Sequence, residues 1–94
     1  MLVRIVKMHF TPAYVNEFKV LFNHVKLLIA NFEGCNEVKL LQHETDSTIF
    51  FTISKWQNAA DLENYRKSDL FIKTWAKVKP NFVCKAEAWS LLEQ

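Results

Sequence analysis

This 94-residue chain has three histidines, His9, His24 and His43, and a general base working near neutral pH would most naturally be an imidazole. Tyr65 adds a phenol that can donate a hydrogen bond to a bound oxygen, or simply reach water from a packed ring. It begins a series of rings, Tyr65, Phe71, Trp75 and Phe82, within the stretch LENYRKSDLFIKTWAKVKPNF (residues 62–82), with charged side chains between them. Such rings either fill a core or wall a pocket, and on the sequence alone both uses stay open.

Other chemistries find little footing. Glu44 and Asp46 share a turn, while Asp61, Glu63 and Asp69 are scattered over helical stretches, so no His–carboxylate ligand set forms and no metal is expected. One glycine cannot build a phosphate-binding loop. Cys35 and Cys84 stand in no CxxC or CxxH pattern, which argues against a disulfide scaffold, a zinc site or a thiol nucleophile. Cys84, in a strand-like run, reads as a small buried apolar residue. A net charge of +2 is mild for a nucleic-acid surface, and Lys73, Lys77 and Lys79 gather at a helix end, where cations favour the negative pole of the helix. The opening MLVRIVKMHF carries Arg4 and Lys7 inside its apolar run, unlike a signal peptide. No apolar run approaches the roughly 20 residues needed to span a bilayer. The expectation is a reduced, cytoplasmic protein with neither nucleic acid nor membrane as partner.

The elements that must position these groups follow from periodicity. Residues 2–10 alternate as a strand, one parity holding Leu2, Arg4, Val6, Met8 and Phe10, the other Val3, Ile5, Lys7 and His9. Thr11 and Pro12 predict the start of a helix, with Thr11 as its N-cap. Val15, Phe18, Phe22, Val25, Ile29 and Phe32 recur at helical spacing up to Gly34, which is read as the left-handed close of that helix. Residues 36–43 and 48–56 predict two more strands around the turn ETDS. Asn58 caps a second helix, Ser68-Asp69 restart it, and it ends before Pro80. Residues 82–90 predict a fourth strand, and the tail LLEQ is too short for structure of its own. Trp56 and Trp89 are expected in the core or in an interface.

This order predicts an α+β protein, a ferredoxin-like β-α-β-β-α-β chain with an antiparallel four-stranded sheet in the order 4-1-3-2 and helices on one face. The second face should then be polar, yet the first and third strands are apolar on both parities. Leaving half a dozen such side chains in water, each worth roughly 1.5–3 kcal/mol on burial, would consume most of the stability of a small domain. The remedy is a second copy packed sheet to sheet, so a homodimer shaped as a dimeric α+β barrel is expected.

The segment SKWQNAADLENYRKSDLFIKTW (54–75) resembles one shared by the antibiotic-biosynthesis-monooxygenase-like family, through Ser54, Trp56, Tyr65, Ser68, Phe71 and Trp75, and the resemblance extends over essentially all of residues 1–94 as one domain. It implies a dimer with a small-molecule cavity between helices and sheet in each subunit. Characterised members include cofactor-free oxygenases of phenols and quinols, and haem-degrading enzymes. The haem-degrading branch carries an Asn, a Trp and a His iron ligand where this chain has Val6, Tyr65 and Trp75, and neither Val nor Trp can ligate iron. The resemblance therefore favours a cofactor-independent monooxygenase acting on a small aromatic or quinol-like substrate. Its expected catalytic residues are Tyr65 and His24, the histidine best placed for a cavity beside the first helix; the expected pocket walls are Trp75, Phe71, Phe22, Phe18 and Val6. The alternative is a non-catalytic homodimeric domain that binds a small ligand or only serves as scaffold.

Overall fold

Four strands form as expected in kind, with β-branched and aromatic residues densest in β3, and a computed structural model describes all of residues 1–94. The order is β1 (Leu2–His9), a 3-10 turn at Pro12–Tyr14, α1 (Val15–Ala30), β2 (Cys35–Gln42), β3 (Ile49–Trp56), α2 (Ala59–Arg66), α3 (Asp69–Val78), a second 3-10 turn at Lys79–Asn81 and β4 (Glu87–Leu92). The strands form one antiparallel sheet in the order β2-β3-β1-β4, which is the expected 4-1-3-2 arrangement.

Alternation in β1 and β3 decides what lies beneath the helices. Met8 and Phe10 with Phe50 and Trp56 point to the helical layer, and Phe10, Phe50 and Trp56 are almost wholly buried. Met8, Phe10 and Phe50 meet the α1 stripe Phe18, Phe22, Val25 and Ile29, which recurs at the three- and four-residue spacing of one helix face, while Trp56 packs with Leu2 and Leu62. Phe10 lies 4.5 Å from Phe18 between ring centroids, and Phe18 meets Phe50 edge-on at 5.1 Å. The opposite parity, Val3, Ile5, Phe51 and Ile53, occupies the other face together with Leu41, Trp89 and Leu91, which are exposed. No helix covers that apolar surface.

The helix break forms where the sequence places it. Asn58 Oδ1 accepts the Asp61 backbone N–H at 2.9 Å and starts α2. Ser68 Oγ accepts from the Phe71 N–H at 3.2 Å and donates to the Tyr65 carbonyl at 2.6 Å, closing α2 and opening α3 with one hydroxyl.

Three boundaries differ from the expectation by more than one residue. The Thr11 side chain caps nothing; its carbonyl accepts the Tyr14 N–H at 3.0 Å, and a 3-10 turn precedes α1. α1 ends at Ala30, before Gly34, whose φ of +84° serves the turn into β2 rather than the helix end itself. β4 begins at Glu87 instead of residue 82. Phe82 bridges Phe10, and Lys7 faces Glu87, so three steps along the first strand are matched by five on the returning chain. The extra residues make a detour there, and pairing then runs on to Leu92 opposite Leu2, which draws half of the tail LLEQ into the sheet.

Candidate functional site

The sheet floor under the helices carries large side chains at both ends, Met8, Phe10 and Phe50 at one and Leu2 and Trp56 at the other, with small ones between them. Val6 of β1 sits between Thr52 of β3 and Ala88 of β4, and two residues along, on the same face, Arg4 sits between Ser54 and Ser90. Small residues on both flanks leave space that the helices do not fill. The result is a cavity of about 320 Å³, within the lower range of small-molecule sites. It is bounded below by Val6, Met8, Thr52 and Ala88, and above by α1, α2 and α3. β4 is exposed along its whole length, so the cavity is least covered on that side.

The expected wall residues come together here. Val6, Phe18, Phe22, Tyr65, Phe71 and Trp75 all line the cavity. Their rings form a continuous series: Tyr65 stacks on Trp56 at 5.0 Å, meets Phe71 edge-on at 5.3 Å, and Phe71 stacks on Trp75 at 5.7 Å with planes only 12° apart. Ser68 is what allows this. By ending one helix and starting the next, it turns Phe71 and Trp75 on α3 toward Tyr65 on α2.

His24 is elsewhere. It is exposed on α1 and does not line the cavity, a correction to its expected position. Adjacent residues of a helix point about 100° apart, so standing beside Val25 carries His24 off the buried stripe. The other two histidines are also outside. His43 Nδ1 accepts the backbone N–H groups of Thr45 (3.2 Å) and Asp46 (3.1 Å), which shapes the turn after β2. His9 lies on the uncovered parity of the sheet, its Nδ1 3.9 Å from the sulfur of Cys84, which is exposed and precedes β4 rather than being buried in a strand as expected. No three His, Cys, Asp or Glu side chains converge on a point where a metal ion could be held.

The polar groups that do line the cavity are Arg4, Arg66, Tyr65, Thr52, Ser54 and Thr74. Ser54 is occupied, accepting the Trp56 indole N–H at 2.9 Å. The Tyr65 hydroxyl makes no hydrogen bond with another protein group. Burial pushes its acidity far down, aided by the nearby Cys35, so the phenol stays neutral and acts as a donor. Burial likewise raises the Cys35 thiol, partly offset by its contact with the Glu37 carbonyl. Arg4 donates from Nη1 to Ser90 Oγ at 2.9 Å, and desolvation, followed by repulsion from Arg66, lowers its proton affinity against a smaller opposing pull from Glu63. A guanidinium remains charged under any physiological condition.

Both arginines were missed by the sequence reading. Arg4 had a visible signal, since it is the one charge in the parity Leu2, Val6, Met8, Phe10. Arg66 had none beyond following Tyr65.

The family model described as "antibiotic biosynthesis monooxygenase" matches residues 1–77. Among solved structures, an antibiotic biosynthesis monooxygenase superposes with a TM-score of 0.93 at 15% identity, covering 100% of this chain and 99% of the other. A conserved protein from Methanosarcina mazei gives a TM-score of 0.91 at 20% identity, covering 100% and 94% respectively. A protein from Mycobacterium tuberculosis gives 0.89 at 14%, covering 99% and 94%. At such identities these likenesses speak to the fold. No curated protein matches the sequence. No helix is long and apolar enough to cross a membrane.

Proposed function

We propose, since the chain belongs to the antibiotic biosynthesis monooxygenase family, that it is a cofactor-independent monooxygenase of a small phenol or quinol bound between helices and sheet. The observation that carries this reading is the Tyr65 hydroxyl, a neutral donor without a protein partner in an apolar, ring-walled cavity. The phenolate of a bound substrate would accept from it. That anion passes one electron to dioxygen, the two radicals join as a ring peroxide anion, which takes up a proton from solvent to become the hydroperoxide, and loss of water leaves a quinone. One oxygen atom enters the product and the other leaves as water, all electrons coming from the substrate. The residues contribute orientation, exclusion of water and stabilisation of negative charge.

No His, Asp or Glu lines the cavity, so the chain offers the substrate no base there. In this reading the substrate enters already acidic, its ionisation favoured by the cationic Arg4. The same observation supports a second reading, a non-catalytic ligand-binding domain with the same cavity. Haem breakdown belongs to neither, because Val6, Tyr65 and Trp75 offer no imidazole to iron.

The reading treats residues 1–94 as one domain, because β4 lies beyond the matched residues yet pairs with β1 and supplies Ala88 to the cavity. It includes a homodimer joined through the uncovered sheet faces, and a reducing cytoplasmic setting in which Cys35 and Cys84 stay free.

Oxygen uptake over a panel of phenols and quinols tests it. Turnover above buffer that falls in Tyr65→Phe and persists in His24→Ala supports the oxygenase. Tight binding without any uptake leaves the binding domain as the better account.

A further inference from the structure

The geometry points to an anionic substituent on the ligand, a carboxylate attached to its aromatic body and held between Arg4 and Arg66. This rests on the ligand cavity described above and names the class of molecule it takes.

Arg4 is out of place by the logic of its strand. It occupies the helix-facing row with Leu2, Val6, Met8 and Phe10, where every other side chain is apolar. A half-buried charge in such a row calls for compensation. Arg4 has five N–H donors and makes one side-chain hydrogen bond, to Ser90. No carboxylate lies within ion-pair distance of it. Arg66 also lines the cavity, from the last turn of α2, and is exposed, so this end of the site meets solvent. Its nearest anion is Glu63, 3.4 Å away. Two guanidinium groups thus flank one end of an apolar cavity with a single carboxylate to balance them.

That leaves one uncompensated positive charge. A singly charged, planar carboxylate matches it and suits the two-pronged donor geometry of a guanidinium. An aryl phosphate would bring two negative charges to this one end of the cavity and face Glu63, whereas the phenolate lies at the Tyr65 end. The apolar remainder of the ligand would then lie against Val6, Phe71 and Trp75, with its ring toward the Tyr65 hydroxyl.

Binding decides the matter without turnover. A panel of aryl carboxylates (benzoate, salicylate, 1- and 2-naphthoate) is titrated against the matching carboxamides, by calorimetry and by Trp fluorescence. At least one acid should bind roughly tenfold or more tightly than its amide, as a charge-assisted bond implies. Arg66→Gln, at an exposed site that leaves the fold intact, should remove most of that preference and leave the amide within about twofold. Arg4→Gln, checked for folding by circular dichroism, should do the same, and Glu63→Gln should tighten the acid. If acids and amides bind alike, if no acid binds, or if Arg66→Gln weakens both equally, the proposal is overturned. The oxygenase reading fails separately: acid preference without oxygen uptake sinks that reading alone, and uptake of neutral phenols without acid preference sinks only the anion site.

Discussion

The ring of Tyr65 lies nearly parallel to that of Trp56, centroids 5.0 Å apart and planes 27° from parallel. Trp56 is completely buried and its indole N–H is tied to Ser54, so the stack fixes Tyr65 against an immobile surface. The ring anchors α2 to β3, and the hydroxyl is the part left over for a ligand.

Tyr65→Phe should therefore separate the two roles. The stack persists, and the midpoint of urea unfolding should change by less than about 1 kcal/mol in stability. Affinity for a phenolate should drop by roughly tenfold, the loss of a hydrogen bond to a charged group. Tyr65→Ala should cost about 2–4 kcal/mol, since a large ring leaves the α2–β3 contact. A Phe variant as unstable as the Ala variant would mean the hydroxyl is structural.

Alkaline pH should expose the burial of Tyr65. Its folded proton affinity is raised well above that of the unfolded phenol, near 10. Below that value both states are neutral and the full stability is present. As pH climbs above about 10 the unfolded chain loses its proton first, so stability falls. Tyr14 is raised in the same sense by burial, so part of the slope survives its removal. Urea unfolding from pH 8 to 11 should show a shallower decline in Tyr65→Phe than in the native chain, and equal slopes would contradict the burial argument.

The proposed dimer depends on strand parity. Ile5 faces the uncovered side, opposite Ile53 and Trp89, whereas Val6 lines the cavity. Ile5→Lys should place a charge in the sheet-to-sheet contact and shift sedimentation toward monomer, with a loss of thermal stability. Val6→Lys should disturb ligand binding and leave association in the surviving folded protein unchanged. Native sedimentation as a stable monomer would remove the dimer.

Gly34 gives a sharper local test. Its φ is +84°, and a Cβ there would collide with the Asp61 side chain. Gly34→Ala should cost on the order of 1–3 kcal/mol, read from the denaturation midpoint. Because the Asp61 Cβ is among the atoms it would meet, only Asp61→Gly opens the space; pairing the two, with the cost of Asp61→Gly alone subtracted, should recover the steric part and leave the backbone part, and full recovery would show that φ imposes no penalty.

Local rules made much of this chain legible. Asn58 and Ser68 announce themselves as caps because the groups they satisfy lie within three residues. Strand alternation shows up in β1 and β3 because the period of two is a property of the backbone, and the surplus of apolar parity there signals an unfilled need on the second face. Even Phe71 and Trp75 could be assigned to one wall, since helical spacing aligns them.

The remainder needed three dimensions. Which neighbours stand beside Arg4 depends on the register of three strands, and its partner Ser90 is 86 positions away in sequence. The detour before β4 shifts that register, and no local pattern announces it. His24 sits beside the buried stripe in sequence, but rotation about the helix axis turns it to water. A cavity is a volume that distant side chains fail to fill, and it exists only once every element has been packed. The sequence by itself determined the elements and the oily faces they must hide; only the tertiary structure decided which side chains face the same empty space, because that is settled by packing between segments far apart in the chain.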